Sequence, residues 1–243
     1  MAGVPRAYHA PVPDPAPASL SSLHAIVPVR GLGDGKERLG PALDAEEREA
    51  LVLGMLLETL AVLQAVPGVA RVHVVSRDET LLRLAARDGA ALLGEDRPGD
   101  LNSALRSGRE SALADGATAV LYLPADLPLV SVPALTALLD AADAALAAGQ
   151  GAPAVVVAPA DVGGGTNALL LCPPGVIEPS FGPGSLAAHL RAVAEAGASL
   201  QLVLEPALGF DLDTPEDLER LEAAQLLALI ERGATALSGS GIA

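Results

Sequence analysis

The sequence HAIVPVRGLGDGKERL, residues 24–39, joins an apolar segment to a glycine-rich loop that carries cations. Ala25–Val29 is short, apolar and partly β-branched, which predicts a buried strand. The loop that follows holds three glycines and two prominent cations: Gly31, Gly33, Gly35, Lys36 and Arg38. Glycine lets backbone N–H groups approach an oxyanion closely, and the cations would neutralise its charge. The segment therefore predicts a polyphosphate site at the end of the first strand.

This loop does not match the established phosphate-binding patterns. The P-loop spacing Gly-x-x-x-x-Gly-Lys-Ser/Thr is absent, because Glu37 follows Lys36, and Gly-x-Gly-x-x-Gly is absent as well. A flexible turn with solvated charges is therefore an alternative, since clustered glycines commonly mark turns. The position of the loop favours the binding site, because ligands of open α/β sheets bind beyond the carboxyl ends of the strands.

The composition predicts one α/β domain with an aliphatic core. The 243 residues suffice for one sizeable domain, and they are 51% hydrophobic but only 2% aromatic, which suits buried parallel strands of Val, Ile and Leu. The formal net charge of −15 argues against a nucleic-acid partner, because no basic face remains to replace phosphate counterions. An acidic protein that binds nucleotides must concentrate its few cations locally or recruit metal ions.

The sequence predicts neither export nor a membrane partner. No run of about twenty residues is apolar without charge or proline, and residues 1–22 lack the pattern of a signal peptide. Because Cys172 is the single cysteine, no intrachain disulfide can form, and a cytoplasmic location is expected. The Pro-, Ala- and Ser-rich residues 1–22 predict a disordered leader before one domain at 23–232, and residues 233–243 predict a flexible tail.

Strand and helix patterns alternate along the chain. The predicted strands are 25–29, 69–76, 90–93, 118–123, 154–158, 168–171 and 199–204, and the predicted helices are 43–66, 79–87, 100–114, 132–148, 184–196 and 214–232. This alternation predicts a single-domain α/β fold with a mostly parallel, Rossmann-like sheet and helices on both faces.

Asp126 is the first candidate metal ligand. It lies in LPADLP, residues 123–128, directly after a hydrophobic strand, and the flanking Pro124 and Pro128 stiffen its loop. A carboxylate fixed at a strand end can bind a hard cation. A turn aspartate that caps the following helix is the alternative.

A second acidic segment, FDLDTPED at residues 210–217, precedes the last predicted helix. Thr214 suits the N-cap and Pro215 the first helical position. Asp211 and Asp213 come before that cap and are not needed by it, so either could complete a metal site with Asp126. Acidic residues also crowd helix N-termini for structural reasons, which remains an alternative.

Two small-residue loops form the remaining candidate site. Thr166 follows three consecutive glycines, and Gly182 and Ser185 lie in the sequence FGPGS, residues 181–185, before a predicted helix. Such loops can present N–H and O–H donors to a phosphate or carboxylate, although two tight turns are an alternative. His189, one turn further along that helix, lacks a nearby nucleophile motif and is expected to be a packing residue.

No metalloprotease, nucleophile-elbow, kinase or Cys/His metal motif occurs in the sequence. The available groups are cations, metal-binding carboxylates and small donors. This set suits displacement at phosphorus, which needs positioning and charge neutralisation more than a covalent nucleophile.

Taken together and in order, six segments resemble the 2-phospho-L-lactate guanylyltransferase family and its bacterial phosphoenolpyruvate guanylyltransferase branch. The segments are PVRGLGDGKERL, GDLNSAL, LPADLPLV, GGTNALLL, FGPGS and FDLDTPEDL. The resemblance spans roughly residues 23–230 and implies a nucleotidyltransferase (GT-A-like) fold. It also implies transfer of GMP from GTP to a small phosphorylated three-carbon acid, with release of pyrophosphate, in deazaflavin coenzyme F420 biosynthesis.

The resemblance also implies a role for each candidate residue. Lys36 and Arg38 would neutralise the GTP phosphates, and Asp126 with Asp211 or Asp213 would hold Mg²⁺. The acid would bind at three positions: Thr166, Gly182 and Ser185. Asn102 would touch the nucleoside, and a downstream deazaflavin-transfer enzyme is an implied partner.

Two positions depart from the family pattern. Arg30 stands where the family often has lysine, and Asp100 stands where a glycine is usual. Arginine keeps the charge but contacts phosphate in a different geometry. The alternatives are a nucleotidyltransferase for a sugar phosphate or molybdopterin-type acceptor, and a non-catalytic nucleotide-binding protein. The Ala-, Pro- and Gly-rich composition suggests a GC-rich bacterial source, which favours phosphoenolpyruvate over phospholactate.

Overall fold

Seven strands form one sheet in the computed structural model, which describes residues 18–33, 36–94 and 100–239. The strands are β1 (Leu23–Pro28), β2 (Val69–Ser76), β3 (Ala91–Gly94), β4 (Ala119–Tyr122), β5 (Ala154–Pro159), β6 (Thr166–Cys172) and β7 (Ser199–Leu202). Their order in the sheet is β3-β2-β1-β4-β6-β5-β7. Neighbouring strands are parallel except that β6 runs antiparallel to both β4 and β5. The predicted mostly parallel α/β sheet is confirmed.

Helices cover both faces of this sheet, as predicted. The helices are α1 (Ala45–Ala65), α2 (Glu79–Arg87), α3 (Leu101–Ala114), α4 (Val132–Ala148), α5 (Ser185–Ala196), α6 (Pro206–Gly209), α7 (Pro215–Leu218) and α8 (Ala223–Gly239). Buried side chains of α1, α2 and α4 pack on one face of the sheet, and those of α3 and α5 pack on the other. No helix in the described ranges is both long and apolar enough to cross a membrane.

The antiparallel strand β6 brings a second loop to the carboxyl edge of the sheet. Leu169 of β6 pairs with Tyr122, the last residue of β4. Residues 166–168 therefore extend past the end of β4, toward the loop that carries Asp126. Because β6 is reversed, its amino end lies where the parallel strands β1, β2 and β4 have their carboxyl ends.

The predicted elements lie within two residues of the observed ones, except at the last helix. The single helix predicted over 214–232 is wrong: α7 ends at Leu218, and α8 begins at Ala223 and continues to Gly239. The tail predicted from residue 233 is correspondingly helical as far as Gly239, and residues 240–243 lie outside the described residues. α8 packs closely on α1, where a Cβ on Gly233 would overlap the carbonyl oxygen of Ala50. This contact holds α8 against α1, separately from α7.

The end of the predicted leader packs against the sheet. The Ala18 N–H donates to the Gly151 carbonyl oxygen at 3.1 Å, and the Ser22 N–H donates to Thr118 Oγ1 at 3.0 Å. Leu20 packs against the larger core cluster. The predicted leader boundary at residue 22 is therefore too late, and residues 1–17 lie outside the described residues.

Candidate active site

A cleft of about 830 Å³ opens at the carboxyl edge of the sheet, beside the ends of β1, β2 and β4. Its charged lining residues are Arg30, Lys36, Glu37, Arg38, Arg77, Asp100, Asp126 and Asp213. A chain with a net charge of −15 thus brings four of its cations to one cleft. The volume is that of a typical small-molecule site, and four cations beside four carboxylates suit an anionic ligand that binds together with a metal ion.

Lys36 joins the acidic segments of two distant loops. Its Nζ lies 3.0 Å from Asp126 Oδ2 and 2.6 Å from Asp213 Oδ1, and its side chain is 11% exposed. Burial would lower the pKa of Lys36, but the two carboxylates outweigh burial and raise the pKa above its usual value. The lysine therefore carries its charge at neutral pH, and we call these three residues the charge cluster.

The backbone of Lys36 adopts the left-handed conformation, with φ 56° and ψ 38°. This conformation is costly for a residue with a Cβ and is often found at functional sites. The φ of Gly33, in the same loop, lies outside the left-handed region. Arg30, at the start of the loop, lines the cleft. Gly35 lies outside the described residues.

Backbone hydrogen bonds hold Asp126 and Asp213 in place. The Leu212 N–H donates to the Asp126 carbonyl oxygen at 3.0 Å, which joins the loop after β4 to the segment before α7. The Asp217 carboxylate accepts the Asp213 N–H at 3.0 Å. The N-cap of α4 is Ser131, so Asp126 does not cap the following helix. Its carboxylate contacts Lys36 instead.

Asp211 lies near the charge cluster but is held by a different neighbour. Asn167 donates through Nδ2 to Asp211 Oδ1 at 3.4 Å and to the Gly209 carbonyl oxygen at 2.9 Å. Burial raises the pKa of Asp211, and the negative charges of Asp126 and Asp213 raise it further. Across residues 18–33, 36–94 and 100–239, no three His, Cys, Asp or Glu residues converge closely enough to hold a metal alone.

Thr166, Ser185 and His189 form a buried hydrogen-bonded group past the start of β6. The Thr166 N–H donates to Ser185 Oγ at 2.9 Å, and Thr166 Oγ1 lies 3.0 Å from His189 Nδ1. The Ser180 N–H donates to His189 Nε2 at 2.9 Å. His189 is buried, as expected for a packing residue, but both of its ring nitrogens are hydrogen bonded. Burial lowers its pKa to about 4, so the ring is neutral at pH 7.

The two loops around this group are also joined through their backbones. The Leu186 N–H donates to the Gly164 carbonyl oxygen at 3.2 Å, and the Ser185 N–H donates to the Gly182 carbonyl oxygen at 3.0 Å. Gly182 has φ +122°, which a residue with a side chain rarely adopts. We refer to residues 163–166 and 181–185 as the paired loops.

Asn102 links the start of α3 to the paired loops by hydrogen bonds. Its Nδ2 donates to the Phe181 carbonyl oxygen at 3.0 Å, and its Oδ1 accepts the Phe181 N–H at 2.7 Å. The expected contact between Asn102 and a nucleoside thus remains a prediction, whereas a structural role for its amide is evident. Asp100 is the N-cap of the same helix and accepts the Ser103 N–H at 2.8 Å.

The candidate residues thus occupy two neighbouring parts of one edge. Lys36, Arg38, Asp126 and Asp213 line the cleft. Thr166, Gly182, Ser185, Asn102 and Asp211 lie outside the lining of that cleft. The two parts are joined through residues 211 and 212: Asn167, which follows Thr166, holds Asp211, and the Leu212 N–H donates to the Asp126 carbonyl oxygen.

Sequence reasoning missed two residues of this site. Arg77 lines the cleft as the residue directly after β2, and its place directly after an apolar strand was the available signal. His189 binds Thr166, and its spacing of four residues from Ser185 predicts a shared helix face.

Known proteins with similar sequences have guanylyltransferase names. This chain is 46% identical to phosphoenolpyruvate guanylyltransferase of Rubrobacter xylanophilus over 203 residues, which cover 84% of this chain and 95% of the relative. It is 36% identical to 2-phospho-L-lactate guanylyltransferase of Methanothermobacter thermautotrophicus, with 80% of this chain and 81% of the relative covered.

The fold resembles solved structures of low sequence identity. A Desulfovibrio desulfuricans protein assigned as a nucleotide-diphospho-sugar transferase superimposes with a TM-score of 0.68 at 15% identity, covering 89% of this chain and 97% of that protein. This likeness confirms the expected nucleotidyltransferase fold. The family model described as "Guanylyl transferase CofC like" matches residues 23–223. With that match and the identity to its relatives, the chain belongs to the guanylyl transferase CofC-like family.

Proposed function

We propose that this protein transfers the guanylyl group of GTP to phosphoenolpyruvate and releases pyrophosphate, with 2-phospho-L-lactate as the alternative acceptor. The observation that carries the proposal is the charge cluster at the carboxyl edge of the sheet, where Lys36 contacts Asp126 and Asp213. A cation and two carboxylates in one cleft suit a triphosphate and its metal ion together. The relatives named above support guanylyl transfer to a small phosphorylated acid.

The proposed reaction is a displacement at the α-phosphorus of GTP. A phosphate oxygen of the acid forms a new bond to that phosphorus, and the bond to the bridging oxygen of the β-phosphate breaks. The bonding electrons leave with pyrophosphate, so no oxidant or covalent enzyme intermediate is needed. Lys36 and Arg38 lower the barrier by neutralising the negative charge that collects on the leaving group.

The carboxylates of the cleft fit a magnesium ion that is shared with the substrate. Mg²⁺ prefers oxygen ligands and usually binds one or two carboxylates together with phosphate oxygens and water. Asp126 and Asp213 would hold it, with Asp211 as the further candidate, since the three carboxylates lie close enough to raise the pKa of Asp211. When bound, the ion supplies charge neutralisation of the triphosphate and polarises the α-phosphate.

We assign the acid to the paired loops. Thr166 and Ser185 have hydroxyl groups that are buried beside exposed glycines. The Gly182 carbonyl oxygen accepts the Ser185 N–H and so closes the turn of the second loop. A small carboxylate needs a few fixed donors of this kind more than it needs a large apolar pocket. Asn167 and Asp211 connect this part of the site to the charge cluster, which would bring the acid phosphate toward GTP.

The product of this reaction would join GMP to the acid through a diphosphate. Such an anhydride is activated for transfer, so we propose that a downstream deazaflavin-transfer enzyme consumes it in the biosynthesis of coenzyme F420. We propose the cytoplasm as the compartment, where GTP is available. The single buried cysteine agrees with a reducing environment.

The test is magnesium-dependent pyrophosphate release from GTP with three acceptors: phosphoenolpyruvate, 2-phospho-L-lactate and 3-phosphoglycerate. We expect release only when GTP, Mg²⁺ and one of these acids are present together, with phosphoenolpyruvate preferred. Asp126→Asn should abolish release while the variant stays folded, and Asp140→Asn, at an exposed position of α4, is the matched control. A coupled acceptor enzyme or pyrophosphatase removes product, so that an unfavourable equilibrium does not hide turnover.

Other outcomes would favour the two alternatives. Release with a sugar phosphate or a molybdopterin-type acceptor, and none with the acids, would contradict the proposed substrate class. GTP binding without release under any of these conditions would contradict the enzyme and favour a nucleotide-binding protein.

A further inference from the structure

His189 lies at the centre of the group that links the paired loops. The residue is fully buried in the first half of α5, one helical turn after Ser185. Its ring contacts Phe181 edge to face, with the ring centroids 5.2 Å apart. Both ring nitrogens have partners, namely the Thr166 hydroxyl and the Ser180 backbone N–H. These two hydrogen bonds fix the orientation of the buried ring.

The Ser180 contact determines which nitrogen of His189 carries the proton. A backbone N–H can only donate, so Nε2 of His189 must accept and is unprotonated. The neutral ring then carries its proton on Nδ1. The lowering of the His189 pKa to about 4 by burial agrees with a neutral ring, because a protonated Nε2 would oppose the Ser180 N–H.

This tautomer sets the direction of the Thr166 hydroxyl. Nδ1–H of His189 donates to Thr166 Oγ1, so that oxygen acts as the acceptor in this bond. Ser185 Oγ is likewise an acceptor, here for the Thr166 N–H. Within the part of the chain that the structure describes, neither hydroxyl proton has a hydrogen-bond acceptor in the protein. Both protons are therefore available to an added acceptor.

We propose that His189 is a positioning residue for the acid substrate: through its Nδ1–H it fixes the Thr166 hydroxyl as a donor to the substrate's anionic oxygen, beside a second donor from Ser185. This inference rests on the proposed function, because it assigns an anionic acid to the paired loops. The two hydroxyls lie in a buried environment, where a hydrogen bond to a charged group is stronger than in water. His189 itself does not contact the substrate.

Two substitutions separate the two hydrogen bonds of His189. In His189→Asn the side-chain amide nitrogen can take the place of Nδ1 and donate to Thr166, but the acceptor for Ser180 is lost. In His189→Gln the amide oxygen can take the place of Nε2 and accept from Ser180, but the donor to Thr166 is lost. Both variants remove the aromatic ring, and the smaller asparagine leaves the larger cavity. A loss of packing alone would therefore impair His189→Asn more than His189→Gln, which is the opposite of the order expected here.

The expected readout is the KM for the acid in pyrophosphate release. His189→Gln should raise this KM about tenfold, the effect of one hydrogen bond to a charged group, and leave the KM for GTP unchanged. His189→Asn should keep the KM for the acid within about threefold of the wild type. In a Thr166→Val background, His189→Gln should have no additional effect on that KM. Equal KM values in the two single variants would overturn the inference.

The tautomer is tested without any variant. The ¹⁵N chemical shifts of the His189 ring in the wild-type protein report which nitrogen carries the proton, and Nδ1 is expected. A proton on Nε2 would overturn the inference, even if the variants fail to fold.

These results also separate the inference from the proposed function. If the wild type releases no pyrophosphate with any acid, the proposed function is contradicted. If the wild type is active but the KM for the acid is unchanged in His189→Gln, only the role of His189 is contradicted.

Discussion

Lys36 combines the charge that we propose for catalysis with a left-handed backbone, and two substitutions can separate these properties. Lys36→Ala removes the ammonium group but keeps a Cβ in the left-handed conformation, at φ 56°. Lys36→Gly removes the ammonium group and also relieves the steric conflict. Both variants lose the same contacts to Asp126 and Asp213, so a difference in stability between them reports on the backbone.

The expected difference follows from two opposing effects. A left-handed residue with a Cβ costs about 1–2 kcal/mol, which glycine avoids. Glycine gives the unfolded chain additional conformational freedom, which costs about 0.5–1 kcal/mol. We therefore expect Lys36→Gly to be more stable than Lys36→Ala by about 0.5–1 kcal/mol. In the wild type this strained backbone occurs together with the two contacts of Lys36 Nζ, to Asp126 and Asp213.

Activity should respond differently from stability. Both variants should lose about 10²–10³-fold in kcat/KM for GTP, the typical effect of removing one preorganised charge that stabilises a transition state. Urea unfolding gives the two free energies, and pyrophosphate release gives the two rates. Gln150 is the matched control, because it has φ 53° and does not line the cleft. Gln150→Gly should exceed Gln150→Ala in stability by a similar amount, with unchanged activity.

Two results would refute this reasoning. If Lys36→Gly is no more stable than Lys36→Ala while the Gln150 pair shows the expected gain, the backbone of Lys36 is not strained as argued. If either Lys36 variant keeps most of its activity, the ammonium group does not stabilise the transition state.

Two further predictions concern stability. Burial lowers the pKa of both His73 and His189 to about 4, so below pH 7 the unfolded chain binds protons that the folded chain excludes. The contribution of these histidines to the free energy of unfolding should therefore be greatest above pH 7. It should fall by roughly 2 kcal/mol per histidine by pH 5. Urea unfolding at a series of pH values measures this, and a free energy that stays constant or rises toward pH 5 would contradict it. Gly233→Ala should destabilise the protein by about 1–3 kcal/mol, because the added methyl group overlaps the Ala50 carbonyl and must push α8 from α1. Gly239→Ala has open space around its Cβ, so equal thermal shifts in the two variants would argue against the close helix contact.

Local sequence patterns were sufficient for the order of the elements and for their ends. The predicted start of α3 at residue 100 is confirmed, since Asp100 is its N-cap and accepts the Ser103 N–H. The apolar segment predicted as a strand over 168–171 is fully buried in β6. Capping and burial depend on residues a few positions apart, so they are visible in a short stretch of sequence. The exception, the break between α7 and α8, arises from packing on α1 that no local pattern records.

The segments that we expect to carry chemistry could be recognised from local sequence alone. A glycine-rich loop with cations follows the first strand, an aspartate follows the fourth, and two further aspartates precede a capped helix. Each stands at an element end that is recognisable from neighbouring residues, and the ordered motifs identified the family. The identity of the candidate groups was therefore available before any contact was known.

How these groups come into contact is visible in the folded structure and not in the sequence. Lys36 contacts Asp126 and Asp213 across 90 and 177 residues of sequence, and periodicity does not record which strand ends lie side by side. The reversal of β6 brings Thr166 to the same edge, and the fold of the Ser180 backbone fixes the proton of His189. Ion pairs and tautomers depend on distances of about 3 Å between segments far apart in the chain. Such distances arise only when the sheet order and the helix packing are complete.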